Sequence, residues 1–216
     1  MRELPMLLNG EMVRATIAGT KTQTRRPVKA PVLQGHPEYL WKIHCEDGIW
    51  HFDTTNYPRV AGGFTLRNPL GVPGDLLYVR ETWLKQPDPD PELGGFEIRY
   101  RATDSVDAEM YGGWRPSIHM PKWAARLWVR NTGVRVERIQ DITEEDAEAE
   151  GIYNANECHE WWCDGVGFHP DQPCHCGDSS PTEVFAKLWD SIYAKRGMGW
   201  DANPWVWVTE YEVAER

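Results

Sequence analysis

Residues 19–26 read Gly19-Thr20-Lys21-Thr22-Gln23-Thr24-Arg25-Arg26, and they follow a segment with helical spacing. Within residues 11–18, Val13 and Ile17 lie four positions apart, which predicts one apolar helix face. Glycine at position 19 is the residue type that most often ends a helix. A short strand from residue 5, then a helix, are therefore predicted to lead into this basic and hydroxylated segment.

Lys21, Thr24 and Arg26 give this segment two alternative interpretations. A lysine near other cations, or removed from water, has a lowered pKa, and its neutral amine can take a proton from a nearby threonine hydroxyl. Alternatively, the basic residues only complement the negative end of the helix dipole. Taken alone, the segment favours the second interpretation.

A second polar stretch lies at residues 141–150, with four Glu and two Asp. Thr143 predicts the N-cap of a short helix, with Asp146 three residues later, and Gly151 predicts its end. We expect Glu144, Glu145 and Asp146 to form a solvated face. Glu150 lies at the helix end, where the dipole disfavours a carboxylate, so we expect a positive partner, and Lys21 would serve.

The pattern Gly19-x-Lys21-x-x-Thr24-x-Arg26 resembles the signature G-x-K-x-x-E-x-R of ASCH-domain proteins, with threonine where many members carry glutamate. The threonine form is similar to that of small bacterial members that hydrolyse N4-acetylcytidine, and the C-terminal segment is similar to ASCH proteins of bacteriophages and prophages. The resemblance touches residues 6–26, 71–83, 127–152 and 182–213. Because those bacterial enzymes are much shorter, residues 28–70, 85–120 and 153–181 are insertions.

The resemblance implies a PUA-like fold, a small β-barrel with flanking helices. It also implies that Thr24 is the nucleophile and Lys21 its general base. Glu150 would position Lys21 or protonate the departing cytosine nitrogen, and the reaction would pass through an acyl-threonine. Arg26 would stabilise charge or contact a phosphate.

The remaining pattern predicts many short strands and a few helices. Strands are indicated at residues 43–52 (a hairpin), 76–83, 96–100, 127–139 and 203–213, and an amphipathic helix at residues 182–193 with Val184, Phe185, Leu188, Trp189 and Ile192 inward. We therefore predict one α+β domain spanning residues 1–216, built on an ASCH/PUA-like barrel.

Three further residues are candidates for substrate binding. Glu81 follows the predicted strand 76–83 and is a second carboxylate candidate; the alternative is an outward residue paired with Arg80 or Arg101. His119 is the most suggestive isolated histidine, although such residues are usually structural. Trp83 could stack on a base, although core packing is the default for tryptophan.

Cysteines cluster in the third insertion, at Cys158, Cys163, Cys174 and Cys176. Four thiols within 19 residues suit tetrahedral zinc, which would hold together an otherwise irregular segment. The alternative is free thiols in a loop. Such a zinc would be structural, because four thiolates close its coordination sphere. For catalysis we expect no cofactor.

The amino-acid composition and net charge disfavour some classes of binding partner. The net charge of −10 argues against a protein that binds long nucleic acids, since neutralisation of phosphates by basic residues supplies most of the affinity for nucleic acid. No apolar run reaches the ~18 residues of a membrane span, and residues 1–14 lack the long apolar core of a secretory signal, so we expect a cytoplasmic protein without a membrane partner.

The net charge favours a small-molecule substrate, and the resemblance implies that it is a modified cytosine nucleoside and that the protein is an amidohydrolase. The alternatives are a non-catalytic module that binds RNA or modified nucleic acid, and a ribonuclease. Nucleic acid thus remains a partner class, disfavoured by net charge.

Overall fold

A helix between two strands begins the chain and delivers Lys21 to the edge of a sheet. The computed structural model describes residues 1–30, 41–54, 63–87, 95–152 and 180–215. Its strands are β1 (Glu3–Leu7), β2 (Gln23–Pro27), β3 (Trp41–Glu46), β4 (Ile49–Thr54), β5 (Phe64–Leu66), β6 (Leu76–Arg80), β7 (Trp83–Pro87), β8 (Phe96–Tyr100), β9 (Trp128–Arg138) and β10 (Trp205–Val213). Its α-helices are α1 (Gly10–Ile17), α2 (Glu144–Ala149) and α3 (Pro181–Tyr193).

Five strands form the central sheet in the order β1-β6-β9-β10-β2. β1 and β6 are parallel, and the other pairs are antiparallel. Smaller sheets, β3-β4-β5 and β7-β8, flank it. The α+β class is therefore confirmed. No closed ring of strands forms within the described ranges, so the PUA-like barrel stays a prediction.

The two edge strands of the central sheet nevertheless approach each other. The guanidinium of Arg26, on β2, donates a hydrogen bond of 2.8 Å from Nη2 to the carbonyl oxygen of Leu7, at the end of β1. Since β1 and β2 lie at opposite ends of the strand order, this contact requires a strongly curved sheet.

Apolar residues cover both faces of this sheet. On one face, Phe185 and Trp189 of α3 pack against Val206 and Val208 of β10. On the other face, Val13 of α1 belongs to a cluster with residues of β1, β6 and β9, and the β3-β4-β5 sheet packs its Phe52 against Trp207. None of the helices that the structure describes is long and apolar enough to cross a membrane.

Most predicted elements are present, with local corrections. The predicted strand 76–83 is interrupted after Arg80, where the Glu81 backbone N–H donates to the Met120 sulfur, and pairing resumes at Trp83. The predicted inward positions Ile17 and Ile192 were wrong, since both are exposed. The strand signals within 127–139 belong to one strand, β9.

Candidate functional site

The ends of α1 and α2 bring Lys21 against Glu150. Gly19, with φ of +78°, ends α1, and the Lys21 N–H donates to the Ala15 carbonyl. Thr22 N–H donates to the carbonyl of Ala149, and Lys21 and Glu150 form an isolated antiparallel bridge. These backbone bonds hold together two segments that lie 129 residues apart in the chain.

The Lys21 ammonium is fully buried, and each of its three hydrogens has an acceptor. Nζ lies 2.8 Å from the Gln23 carbonyl oxygen, 2.8 Å from the Glu150 carbonyl oxygen and 2.6 Å from Glu150 Oε2. Burial lowers the pKa of Lys21; the Glu150 carboxylate opposes this shift, and the positive charges of Arg26 and Arg25 add to it.

Glu150 is the C-cap residue of α2, where the helix dipole disfavours a negative charge. Two cations offset this: Lys21 at Oε2, and Arg25, whose Nη1 lies 3.2 Å from Oε1. The carboxylate thus bridges a lysine and an arginine inside the protein.

Arg25 was not singled out by the sequence analysis, yet it is the centre of the charged network. Its side chain is fully buried, and it also donates to Glu137 and Asp146 at 2.9 and 2.8 Å. Its Cζ lies 5.9 Å from the ring centre of Phe185 on α3. Strand alternation places Gln23 and Arg25 on one face of β2 and Thr24 and Arg26 on the other, but it does not show that the face with Arg25 is buried.

The prediction that Asp146 lies on a solvated helix face was wrong. Asp146 does not join a solvated face with Glu144 and Glu145, which are exposed. It accepts hydrogen bonds from Gln23, Arg25 and Arg135 instead. Although burial raises the pKa of Asp146, the hydrogen bonds from Gln23 and Arg135 hold it below the usual value.

Thr24 lies on the opposite face of β2 from Arg25 and is 1% exposed. Within the described ranges its hydroxyl makes no hydrogen bond, and none joins it to Lys21. Its register partner on β10 is Thr209, which places their Cβ atoms about 5 Å apart. The Thr209 hydroxyl accepts from Asn68 at 3.0 Å, so a buried polar row lies beside Thr24.

Tyr211, two residues after Thr209, joins α1 to the same neighbourhood. Thr16 donates its hydroxyl hydrogen to the Met12 carbonyl, so in the 3.1 Å contact between Thr16 and Tyr211 the tyrosine is the donor. Burial raises the pKa of Tyr211 above its usual range, so the hydroxyl stays protonated; the charges of Glu150 and Arg26 also act on it.

Arg26 is a half-buried cation with two backbone acceptors, the carbonyl oxygens of Arg25 and Leu7. It has no carboxylate partner in the part of the chain that the structure describes. A guanidinium has five N–H donors, so donors remain for an anion or for a developing negative charge.

Glu81, Trp83 and His119 form a separate group, with no hydrogen bond or ion pair to Lys21, Thr24 or Glu150 among the described residues. Glu81 is buried, and both its oxygens accept from Arg126, at 2.9 and 3.0 Å, not from Arg80 or Arg101 as the alternative had it. Trp83 is buried in a cluster with Met120, and Arg115 lies 5.1 Å from its ring centre.

His119 is exposed, in the short turn Ser117–His119. The predicted zinc ligands Cys158, Cys163, Cys174 and Cys176 lie outside the described residues.

The chain was also compared with known proteins. No protein-family model, curated protein or solved structure matches it. The ASCH resemblance therefore rests on the sequence pattern alone.

Proposed function

We propose that the chain is a hydrolase of amide bonds that removes the acyl group from N4-acylated cytosine nucleosides or bases. The observation that carries the proposal is the buried Lys21–Glu150 pair, three residues from a threonine whose hydroxyl makes no hydrogen bond among the described residues. A base with a lowered pKa and a hydroxyl free to react are the two groups that a threonine nucleophile requires.

The reaction begins with attack of Thr24 Oγ1 on the acyl carbonyl carbon, while the neutral Lys21 amine takes the hydroxyl proton. The tetrahedral intermediate then expels the cytosine N4 amine, which receives that proton from Lys21. Water next attacks the acyl-threonine ester and gives its proton to Lys21. The returning proton regenerates the Thr24 hydroxyl, and the carboxylic acid leaves.

Lys21 must first lose a proton from a fully hydrogen-bonded ammonium. The short contact to Glu150 Oε2 provides an acceptor, because a proton that moves along it leaves an amine beside a carboxylic acid. In a desolvated setting this neutral pair is closer in energy to the ion pair than it is in water. For the lone pair to reach Thr24, one of the three contacts of Nζ must open, and Thr24 Oγ1 must come within about 3 Å of Nζ when substrate is bound.

Arg26 is the candidate for charge stabilisation. It lies two residues beyond Thr24 on the same face of β2, and its free N–H donors can receive the oxyanion of the tetrahedral intermediate. Loss of one such donor typically lowers kcat by about 10²-fold or more.

The test is the ultraviolet absorbance of N4-acetylcytidine incubated with the wild type, Thr24→Val and Thr22→Val. Valine at position 24 removes the hydroxyl and keeps the shape, and Thr22 is an exposed threonine of the same segment. We expect the acylated-cytosine band to disappear with the wild type and Thr22→Val and to persist with Thr24→Val. Loss of the band with Thr24→Val would refute the nucleophile, and a stable band in all three, across several acyl groups, would refute the amidase.

A second candidate, binding of single-stranded nucleic acid without catalysis, is favoured by a different surface. Trp123 and Phe96 are 59% and 46% exposed, their ring centres are 5.8 Å apart, and Lys85 Nζ lies 3.7 Å from the Phe96 ring centre. Exposed aromatic rings beside cations are typical of base-stacking surfaces. Salt-dependent binding of an oligonucleotide that is lost in Trp123→Ala would support it, and cleavage of an RNA in the same assay would indicate a ribonuclease.

A further inference from the structure

Arg25 has a contact that the proposed reaction does not use. Of the two Glu150 oxygens, Oε2 contacts Lys21 and Oε1 contacts Arg25. Arg25 is held in place by further contacts, because its guanidinium also contacts Gln23, Glu137 and Asp146 and is buried away from solvent.

We propose that Arg25 is a positioning residue of this site, which competes with Lys21 for the Glu150 carboxylate and thereby lowers the pH at which the Lys21 amine becomes free to act as a base. This inference rests on the proposed function, which gives the amine its task.

The geometry supports two effects of Arg25, both in the same direction. An arginine is charged at every working pH, so its contact with Oε1 draws negative charge away from Oε2 and weakens the attraction that favours the Lys21 ammonium. Its positive charge also lies near the Lys21 ammonium and disfavours it. Both effects promote loss of a proton from Lys21.

Other charged and polar side chains surround the Lys21–Glu150 pair, and they differ in which members of the network they contact. Arg26 on β2 and Tyr211 on β10 lie on the Thr24 side, whereas Asp146 of α2 and Glu137 of β9 contact Arg25 directly. Arg135 on β9 contacts Glu137, Asp146 and Glu210 and does not contact Glu150. Arg135 is therefore the matched control, since it belongs to the same network and lacks the contact in question.

The experiment is a pH titration of the full chain with ¹³C-labelled lysine, followed by NMR at Cε. The chain has seven lysines, and the Lys21 resonance is identified by its absence in Lys21→Met. The titrated proteins are the wild type, Arg25→Gln, Arg25→Lys and Arg135→Gln. The pH dependence of N4-acetylcytidine hydrolysis is measured on the same samples.

We expect the Lys21 midpoint to rise in Arg25→Gln, because the like charge is lost and Glu150 Oε1 no longer contacts an arginine. Arg25→Lys, which keeps the charge, and Arg135→Gln should remain close to the wild type. The acid limb of the rate profile should move with the midpoint in Arg25→Gln, and activity should recover at high pH, which a variant with only damaged structure would not do.

An unchanged Lys21 midpoint in Arg25→Gln overturns the inference, and so does an equal shift in Arg135→Gln. If hydrolysis is absent from every protein but the midpoint shifts as expected, the role of Arg25 stands and the amidase is refuted. Should Arg25→Gln fail to fold, the double variant Arg25→Gln/Glu137→Gln, which removes one carboxylate with the arginine, makes the same test.

Discussion

The Lys21–Glu150 pair allows a stability prediction that does not depend on any activity. Its two side chains are 0% and 5% exposed, so neither charge can turn to water when the other is removed. We consider Glu150→Gln, Lys21→Met and the double variant.

The two single substitutions leave different charges behind. Glu150→Gln leaves a buried ammonium beside Arg25 and Arg26 with no carboxylate, and we expect a loss of about 3–5 kcal/mol in the free energy of unfolding. Lys21→Met leaves a carboxylate that still contacts Arg25, so we expect a smaller loss of about 2 kcal/mol. The double variant buries no unpaired charge of this pair and should be more stable than Glu150→Gln, with a coupling of about 2 kcal/mol or more.

Urea unfolding followed by tryptophan fluorescence measures all four free energies. Glu150→Gln removes the carboxylate that opposes the lowered pKa of Lys21, so the folded variant loses this proton at a lower pH than the folded wild type, whereas both unfolded chains hold it up to the ordinary value of 10.5. The deficit of this variant should therefore shrink as the pH rises from 7 towards about 10. If the single losses add within about 0.5 kcal/mol, the two residues are not coupled and the reasoning is refuted.

Three further predictions concern the surroundings of the site. Gly151→Ala should lower the free energy of unfolding by about 1–3 kcal/mol and impair hydrolysis, because φ is +86° and the new Cβ would lie 3.1 Å from Cβ of Lys21. The control is Gly74→Ala, where φ is +92° and the space around the new Cβ is open. In the same unfolding and absorbance assays, this variant should lose less stability and leave hydrolysis unchanged. Glu81→Gln should lower the free energy of unfolding by about 2–3 kcal/mol, because among the described residues its carboxylate pairs with Arg126 alone. The pH profile of hydrolysis should not change. A shifted profile would show that Glu81 is coupled to the Lys21–Glu150 site. The stability that Asp146 contributes is present above its ordinary pKa of 3.8 and is lost as the pH falls through its lower folded-state value, so Asp146→Asn should flatten the acid dependence of the unfolding midpoint below about pH 5, and an unchanged curve would count against its ion pairs.

Local signals in the sequence were sufficient for the α+β class and for several helices and strands, but not for β2 or β5. Gly19 and Gly151 end helices where expected, both with positive φ, and the Thr143 hydroxyl accepts from the Asp146 N–H as an N-cap does. These features depend on a few neighbouring residues. The interruption after β6 could not be predicted in this way, because there the Glu81 N–H meets Met120, which lies 39 residues further along the chain.

The site was predictable only in part, for a related reason. The charges at Lys21 and Glu150 suggested a partnership, and the structure brings the two residues together. Arg25 has the sequence character of an exposed residue, and its burial follows from Glu137, 112 residues away. A local pattern cannot indicate that distant carboxylates will meet an arginine inside the protein.

The position of β10 has a consequence for the order in which the site can form. Among the described strands, β2, which carries Thr24 and Arg25, pairs with β10 alone, and β10 follows every other described strand in the chain. During synthesis β2 emerges early and has no strand to pair with until residues 205–213 appear. We therefore expect a nascent or truncated chain without those residues to leave Lys21 hydrated, with an ordinary affinity for protons. The lowered pKa of Lys21 would thus arise only when β10 pairs with β2, a late folding step between segments that are far apart in the chain.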